Sequence, residues 1–266
     1  MPIAHVENLK ATLGSHDVAV RVYRSESTNP LPALVFFHSG GWVLGGLDEC
    51  DNLCRVLAKQ GHCVVVSVDY RLAPEHRFPA AIDDAYGVVK WVIANKEQIN
   101  VDAERIAVGG ESAGGNLAAV VALMSRDRSG PQLAFQLLIC PVTNIADMES
   151  QSYRDFAPGY LLERETMAWY KNHYLGRGQS PVNSYVSPLL SESLTELPAA
   201  HIVTASHDIL RDEGQAYAEA LAEAGNAVSY MCYQGMIHGF INLFSMSPQA
   251  KEALDEVATK LFQVLH

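Results

Sequence analysis

Gly110-Glu111-Ser112-Ala113-Gly114 is the stretch of sequence that decides how this chain folds. It fits the pattern G-x-S-x-G of a nucleophile elbow, a sharp turn from a strand into a helix that holds a serine hydroxyl above the sheet. Glycine is required at both flanks, because a side chain at either place would collide with the neighbouring strand or helix. Three fixed positions are a weak signal by themselves, so the flanking sequence has to support the assignment.

The flanking sequence has the order that an elbow requires. Residues 105–109 form a short apolar run of strand type, and residues 116–124 read as a buried helix. The alternative is a glycine-rich turn with an ordinary helix-capping serine. The succession of strand, turn and helix favours the elbow.

Apolar runs and helical patterns alternate along most of the chain. Continuous apolar runs, typical of strands covered on both faces, occupy residues 33–37, 63–68, 135–140 and 202–205. Residues 18–23 alternate between apolar and polar, which predicts a half-buried strand at the sheet edge, and the last predicted strand is 228–233. Helices are predicted over residues 53–60, 80–94, 163–174, 212–224 and 249–265. Strands that alternate with helices predict the α/β class, with a mostly parallel central sheet and helices on both faces.

Length and composition predict one domain over residues 1–266. Of the 266 residues 48% are hydrophobic, enough for one substantial core. The irregular stretch at about 144–188 combines aromatic and charged residues with one helical pattern. We interpret this stretch as an insertion that caps the carboxyl edge of the sheet.

Composition and charge argue against several kinds of partner. A formal net charge of -11 opposes the basic footprint that nucleic acid requires. No apolar run has the length of a membrane span, and the N-terminal residues lack the charged and apolar regions of a signal peptide, which predicts a cytoplasmic protein. The five cysteines are odd in number and scattered, so we expect buried free thiols. Zinc spacing is missing around them, so we expect no metal site.

A serine is a poor nucleophile at neutral pH and needs a base, together with a third group that orients the base. In this architecture an aspartate and then a histidine follow the serine in the chain. Asp208 comes just beyond the strand 202–205, whereas the rival Asp212 is placed like a helix N-cap, so Asp208 is favoured as the acid. His238 follows the last strand, beside a glycine, and is favoured as the base. The competing base His207 adjoins Asp208, too close in sequence to receive its hydrogen bond comfortably.

Backbone N–H groups are expected to stabilise the oxyanion of a tetrahedral intermediate. Ala113, the residue after the serine, supplies one donor at the start of its helix. Gly40 and Gly41, after the strand 33–37, supply the others, because glycines can turn their N–H groups toward a ligand without side-chain hindrance. Taken alone, this glycine pair is just as readily a plain turn. Coupled to the elbow, it predicts an oxyanion hole.

Over residues 33–240 the chain resembles the bacterial hormone-sensitive-lipase-like (family IV) carboxylesterases of the α/β-hydrolase fold. The matching blocks are His38-Ser39-Gly40-Gly41-Trp42, Asp69-Tyr70-Arg71-Leu72-Ala73-Pro74-Glu75, Gly110 to Gly115, Asp208-Ile209-Leu210-Arg211-Asp212-Glu213-Gly214 and His238-Gly239-Phe240. The resemblance implies a small-molecule ester substrate and no cofactor. It implies a catalytic triad of Ser112, Asp208 and His238, and an oxyanion hole of Gly40, Gly41 and Ala113.

The chain departs from this family in two places. Ser39 replaces the first glycine of the family's His-Gly-Gly-Gly loop, a position that is not itself a donor, so we expect the oxyanion hole to survive. Only seventeen residues precede the strand 18–23, too few for the several cap helices that family members carry there. The expected consequence is a reduced cap, with either a more open acyl pocket or a pocket that a second subunit of a homodimer completes.

The sequence therefore predicts a serine carboxylesterase that acts on small esters with short acyl chains. Its activity is expected to fall as His238 becomes protonated, near the unperturbed imidazole pKa of about 6.5. Two alternatives stay open at this point. One is an aryl formamide or amide hydrolase with the same triad, and the other is a non-catalytic ligand receptor on the same scaffold.

Overall fold

The computed structural model of the chain describes residues 2–266, and these residues form an eight-stranded sheet. The strands are β1 (His5–Thr12), β2 (Asp17–Arg24), β3 (Leu31–Phe37), β4 (Val64–Asp69), β5 (Val101–Glu111), β6 (Phe135–Ile139), β7 (Ala199–His207) and β8 (Val228–Ile237). Their order in the sheet is β1-β2-β4-β3-β5-β6-β7-β8. Strands β3 to β8 run parallel, and β1 and β2 are antiparallel to their neighbours. The predicted α/β-hydrolase fold with a mostly parallel sheet is confirmed.

Helices cover both faces of this sheet. They are α1 (Asp51–Gln60), α2 (Ala80–Ala94), α3 (Lys96–Ile99), α4 (Ala113–Asp127), α5 (Gln151–Asp155), α6 (Arg164–Tyr174), α7 (Arg211–Glu223) and α8 (Pro248–Leu265), with short 3-10 helices at Pro188–Leu190 and Phe240–Leu243. Side chains of α2, α4 and α7 belong to one hydrophobic core, and side chains of α1 and α8 belong to a second. The central strands are mostly apolar because each of them contributes alternate side chains to the two cores.

The edge of the sheet differs from the sequence prediction. The strand predicted at 18–23 is β2, which lies between β1 and β4, so its placement at the edge was wrong. The sequence did not reveal β1, whose eight residues are nearly all exposed or half-buried and therefore carry no apolar periodicity. Pairing of its whole length with β2 holds it in place.

The region at about 144–188 contains α5 and α6, and the 3-10 helix Pro188–Leu190 begins where the region ends. The C-terminal end of α6 packs against the loop after β3, where the rings of Trp42 and Tyr174 stack with centroids 4.3 Å apart. The Phe78 N–H also donates to the Tyr174 carbonyl oxygen over 2.9 Å. Whether this region acts as a cap on a single domain stays a prediction. Across residues 2–266, every helix is too short or too polar to cross a bilayer.

Candidate active site

The turn between β5 and α4 places Ser112 in a strained backbone conformation. Its φ of 58° and ψ of -117° lie in a region that residues other than glycine rarely adopt. Both flanking glycines are required by close approach of the backbone, because a Cβ at Gly114 would collide with the Phe37 carbonyl, and a Cβ at Gly110 would strike the backbone of Gly114. The turn directs Ser112 toward the carboxyl edge of the sheet, where the loops after β3, β6, β7 and β8 begin.

Two of those loops bring a histidine and an aspartate to Ser112. His238 Nε2 lies 3.0 Å from Ser112 Oγ, and His238 Nδ1 lies 2.7 Å from Asp208 Oδ2. A carboxylate oxygen only accepts, so the ring donates its Nδ1–H to Asp208 and leaves Nε2 free to accept the Ser112 hydroxyl proton. The three residues are at most 9% exposed. The arrangement can therefore deprotonate the serine in a site from which most water is excluded.

The charge around His238 favours its protonated form. Burial by itself lowers the pKa of the imidazole, but the negative charge and hydrogen bond of Asp208, with the charge of Glu111, outweigh burial and raise that pKa above its ordinary value of 6.5. The unperturbed value expected from the sequence was therefore too low. A base with a raised pKa takes the serine proton more readily.

The structure also separates the two candidate acids. Asp208 accepts from His238 through Oδ2 and from the Leu210 N–H through Oδ1, over 3.0 Å. Asp212 accepts instead from the Ser152 N–H at 2.7 Å and pairs with Arg211 at 2.8 Å. Its predicted role as an N-cap was wrong, because Asp212 lies inside the first turn of α7 and binds α5. Only Asp208, of these two, faces the histidine.

His207, the competing base, makes its contacts with residues other than Ser112. Its Nδ1 lies 2.9 Å from Ser206 Oγ, and its ring stacks on Tyr160 with centroids 5.5 Å apart. A second aromatic ring, that of Phe156, lies 5.3 Å from it. His207 therefore joins the region at about 144–188 to the loop after β7.

The loop after β3 has the backbone that its glycines predicted. Gly40 has a φ of 115° and Gly41 a φ of 61°, both in the left-handed region. A Cβ at Gly41 would fall inside the ring of Tyr170, so α6 packs directly on this peptide. The ring of His38 fixes the other side of the loop, because its Nδ1–H donates to the Ser39 carbonyl oxygen over 2.7 Å and its face stacks on Tyr70 at 4.2 Å.

The three residues whose N–H groups the sequence singled out all lie just after a strand, at the carboxyl edge of the sheet. Within residues 2–266, no acceptor is bonded to the N–H of Gly40, Gly41 or Ala113. Ala113 is the first residue of α4, where the N–H groups have no partner inside the helix and the helix dipole favours negative charge. These donors are therefore available to an oxyanion.

Cys140, which follows β6, was expected only to be a buried thiol, and it lies beside Asp208 and His238. Its Sγ, a carboxylate oxygen of Asp208 and a ring nitrogen of His238 all lie within 4.8 Å of one another. Burial raises the pKa of the Cys140 thiol well above its usual range. Within this group Asp208 and His238 bond to each other. The absence of a metal site stays a prediction.

Two buried carboxylates near Asp208 were missed by sequence reasoning. Glu213 accepts the N–H groups of Thr143 at 2.6 Å and Asn144 at 3.0 Å, which ties α7 to the loop after β6. Burial raises its pKa to about 8. Glu111, inside the elbow motif itself, is 3% exposed. In the sequence, the only sign of burial for either glutamate was its position inside a motif whose other residues were expected to be buried.

Comparison with known proteins places this geometry among ester hydrolases. The profile of the α/β-hydrolase fold family Abhydrolase_3 matches residues 34–242. The chain is 42% identical over 258 residues to carboxylesterase NlhH of Mycobacterium tuberculosis, covering 95% of this chain and 80% of that protein. It is 37% identical over 260 residues to the ethyl acetate hydrolase of Pseudomonas putida, with coverage of 96% and 81%. Among solved structures, the thermostable carboxylesterase EstE1 from a metagenomic library superposes with a TM-score of 0.96 at 38% identity, covering 100% of this chain and 90% of EstE1.

Proposed function

Since the chain belongs to the Abhydrolase_3 family of hormone-sensitive-lipase-like carboxylesterases and is a carboxylic ester hydrolase, we propose that it cleaves short-acyl esters through an acyl-enzyme formed on Ser112. The observation that carries this proposal is the unbroken chain of hydrogen bonds from Asp208 through His238 to Ser112. Those contacts match the geometry that an activated serine requires.

In the first half of the reaction Ser112 Oγ attacks the carbonyl carbon of the ester, and its proton passes to His238 Nε2. The carbonyl oxygen becomes an oxyanion that the N–H groups of Gly40, Gly41 and Ala113 bind. The intermediate then collapses, the bond from the acyl carbon to the alcohol oxygen breaks, and the leaving alcohol takes the proton from His238. The acyl group stays on Ser112.

In the second half, water replaces the alcohol. His238 Nε2 removes a proton from the water, whose oxygen attacks the acyl carbon, and the same N–H groups hold the new oxyanion. Collapse releases the carboxylic acid and returns the proton to Ser112. Asp208 keeps the ring in the required tautomer throughout and stabilises the imidazolium that forms twice in each cycle.

Short acyl chains are proposed because a relative over nearly the whole chain is an ethyl acetate hydrolase, whose name implies two-carbon acyl and alcohol groups. Aromatic side chains of the region at about 144–188 pack against the loops after β3 and β7, which carry Gly41 and Asp208. Tyr170 packs on Gly41, and Phe156 and Tyr160 approach His207 beside the acid loop.

The test is hydrolysis of p-nitrophenyl esters from acetate to decanoate by the wild type and by Ser112→Ala. We expect the rate to be highest on the shortest chains and to fall more than about 1,000-fold in the variant. Ser125→Ala is the matched control, because Ser125 is equally buried at 6% exposed and lies on α4. Equal rates for Ser112→Ala and the wild type would remove Ser112 from the mechanism.

The same assay decides between the proposal and its alternatives. Matched acetate ester and acetanilide or aryl formamide substrates separate an esterase from an amide or formamide hydrolase. Wild-type protein that is inert on all of them, yet binds a small ester analogue, would favour a ligand receptor.

A further inference from the structure

The side chain of Glu111 fills a buried place beside the triad, and the reaction steps above make no use of it. We propose that Glu111 is a positioning residue: its carboxylate fixes the segment that carries His238 and stabilises the imidazolium of that histidine during catalysis. This inference rests on the proposed function, because it takes His238 as the general base.

The contacts of Glu111 show how it reaches His238. Its Oε2 accepts from Asn242 Nδ2 over 2.7 Å, and Asn242 lies in the 3-10 helix Phe240–Leu243 that begins two residues after His238. Its Oε1 is buried and has no hydrogen-bond partner among residues 2–266. A Cβ added at Gly239 would lie 3.9 Å from that oxygen. The carboxylate therefore borders the peptide that follows the catalytic histidine.

This contact joins two segments that the chain itself keeps far apart. Glu111 is the last residue of β5 and precedes Ser112 directly, whereas Asn242 follows His238 at the other end of the sequence. The Asn242 bond therefore fixes the segment after the base relative to the nucleophile, and with it the 3.0 Å separation of Ser112 Oγ and His238 Nε2. Effective proton transfer depends on a separation of this kind.

The charge of Glu111 acts on the same histidine. His238 faces two carboxylates, those of Asp208 and Glu111, and both charges raise its pKa. Glu111 in turn faces His238 and Asp208, and the thiols of Cys50 and Cys140 are the other titratable groups near it. Burial raises the pKa of Glu111, while the bond from Asn242 and the charge of His238 oppose that change. When His238 takes the serine proton, an ionised Glu111 therefore gains a favourable partner.

Loss of this charge has a consequence that loss of packing does not. Without the Glu111 carboxylate the imidazolium is less stable, so the pKa of His238 falls and the acid limb of kcat/KM moves to lower pH. The transition state contains the same imidazolium, so kcat falls as well. KM changes little, because Glu111 contacts no substrate in this proposal.

The test compares pH profiles of kcat/KM for p-nitrophenyl acetate in four variants. Glu111→Gln and Glu111→Met both remove the charge. Two neutral variants are used so that the shift of the acid limb can still be measured if one of them does not fold. Glu111→Asp keeps the charge on a shorter side chain. Glu104→Gln removes one exposed carboxylate elsewhere and controls for the change in net charge.

We expect the neutral variants to shift the acid limb by about half a pH unit or more to lower pH. We expect their kcat to fall about tenfold, with KM within about twofold of the wild type. Glu111→Asp should return the acid limb toward its wild-type position, and Glu104→Gln should leave it in place. An unshifted acid limb in the folded neutral variants would overturn the proposal, even if their thermal midpoints fell, because a structural role alone would explain that result.

Failure of the proposed function would look different. Wild-type protein without esterase activity, or Ser112→Ala with wild-type activity, removes the triad mechanism before any Glu111 variant is measured. An active wild type, an inactive Ser112→Ala and an unshifted acid limb together reject the Glu111 proposal alone.

Discussion

Replacement of Asp208 by asparagine removes one charge and tests the triad at its most buried member. Asp208 is 1% exposed and its two oxygens have different partners, the Leu210 N–H on Oδ1 and the His238 ring on Oδ2. Asparagine has one acceptor and one donor at these places. If its oxygen serves Leu210, its NH2 group faces His238, which must then accept through Nδ1 and carry its proton on Nε2. A ring in that tautomer cannot take the proton of Ser112.

The opposite orientation of the amide keeps the productive tautomer but leaves the buried Leu210 N–H facing another donor. An unsatisfied buried group of this kind costs about 1–3 kcal/mol, so only a minor fraction of molecules adopts it. Those molecules also lack the negative charge that stabilises the imidazolium. We therefore expect kcat/KM of Asp208→Asn to fall about 1,000- to 10,000-fold, equivalent to about 4–5.5 kcal/mol of transition-state stabilisation.

The assay is hydrolysis of p-nitrophenyl acetate at a pH where His238 is neutral, with a thermal melt to show that each variant is folded. Asp212→Asn is the matched control. Asparagine can still accept from the Ser152 N–H, and only the ion pair with Arg211 is lost. Its kcat/KM should stay within about threefold of the wild type, since a partly exposed ion pair contributes little. The reasoning would be refuted if Asp208→Asn kept more than about a tenth of wild-type activity, or if Asp212→Asn lost as much activity as Asp208→Asn.

Two further predictions concern pH. The neighbouring carboxylates raise the pKa of His238 above 6.5, and only the neutral ring accepts a proton. The acid limb of kcat/KM should therefore have its midpoint above about pH 6.5. A rate that stays flat between about pH 5 and pH 8 would contradict this prediction. Burial raises the pKa of Glu213 from 4.5 to about 8, so the folded state binds this proton more tightly than the unfolded state does. The contribution of Glu213 to the free energy of unfolding of the wild type is therefore fully present below about pH 4.5 and is lost as the pH rises toward 8. Glu213→Gln is neutral at every pH, and its stability relative to the wild type, measured by urea unfolding, should therefore increase from about pH 5 to pH 8 by up to about 4 kcal/mol. A difference independent of pH would show that Glu213 is ionised in the folded protein throughout.

The elbow and the sheet could be predicted because their requirements are local. Glycine at position 110 is required by the turn itself, because a Cβ there would strike the backbone of Gly114, so the sequence has to display it. Strands β3 and β6 are buried along their whole length and mostly apolar because helices cover both faces, and that pattern is visible without the structure. The predicted helix at 80–94 has the same bounds as α2 for a similar reason, since Pro79 marks its start.

Prediction failed where a residue depends on partners that are distant in the chain. Strand β1 is polar along nearly its whole length, and pairing with β2 rather than burial holds it in the sheet. Asp212 has the sequence position of a cap, but its partner, Ser152, lies 60 residues away. The raised pKa of His238 results from two carboxylates, one at the end of β5 and the other in the loop after β7.

The sequence by itself determined the fold class, the nucleophile elbow and the residue types at each candidate catalytic place, because tight turns and doubly covered strands restrict which amino acids can occupy them. The sequence favoured Asp208 over Asp212 as the acid, and the tertiary structure shows that Asp208 faces His238. The tertiary structure alone brought Glu111, Cys140 and Asn242 to the same edge. Parallel strands are joined by long crossovers, so residues that meet at their carboxyl ends are separated by up to 131 positions, as Glu111 and Asn242 are. Distances of that kind leave no local pattern in the sequence.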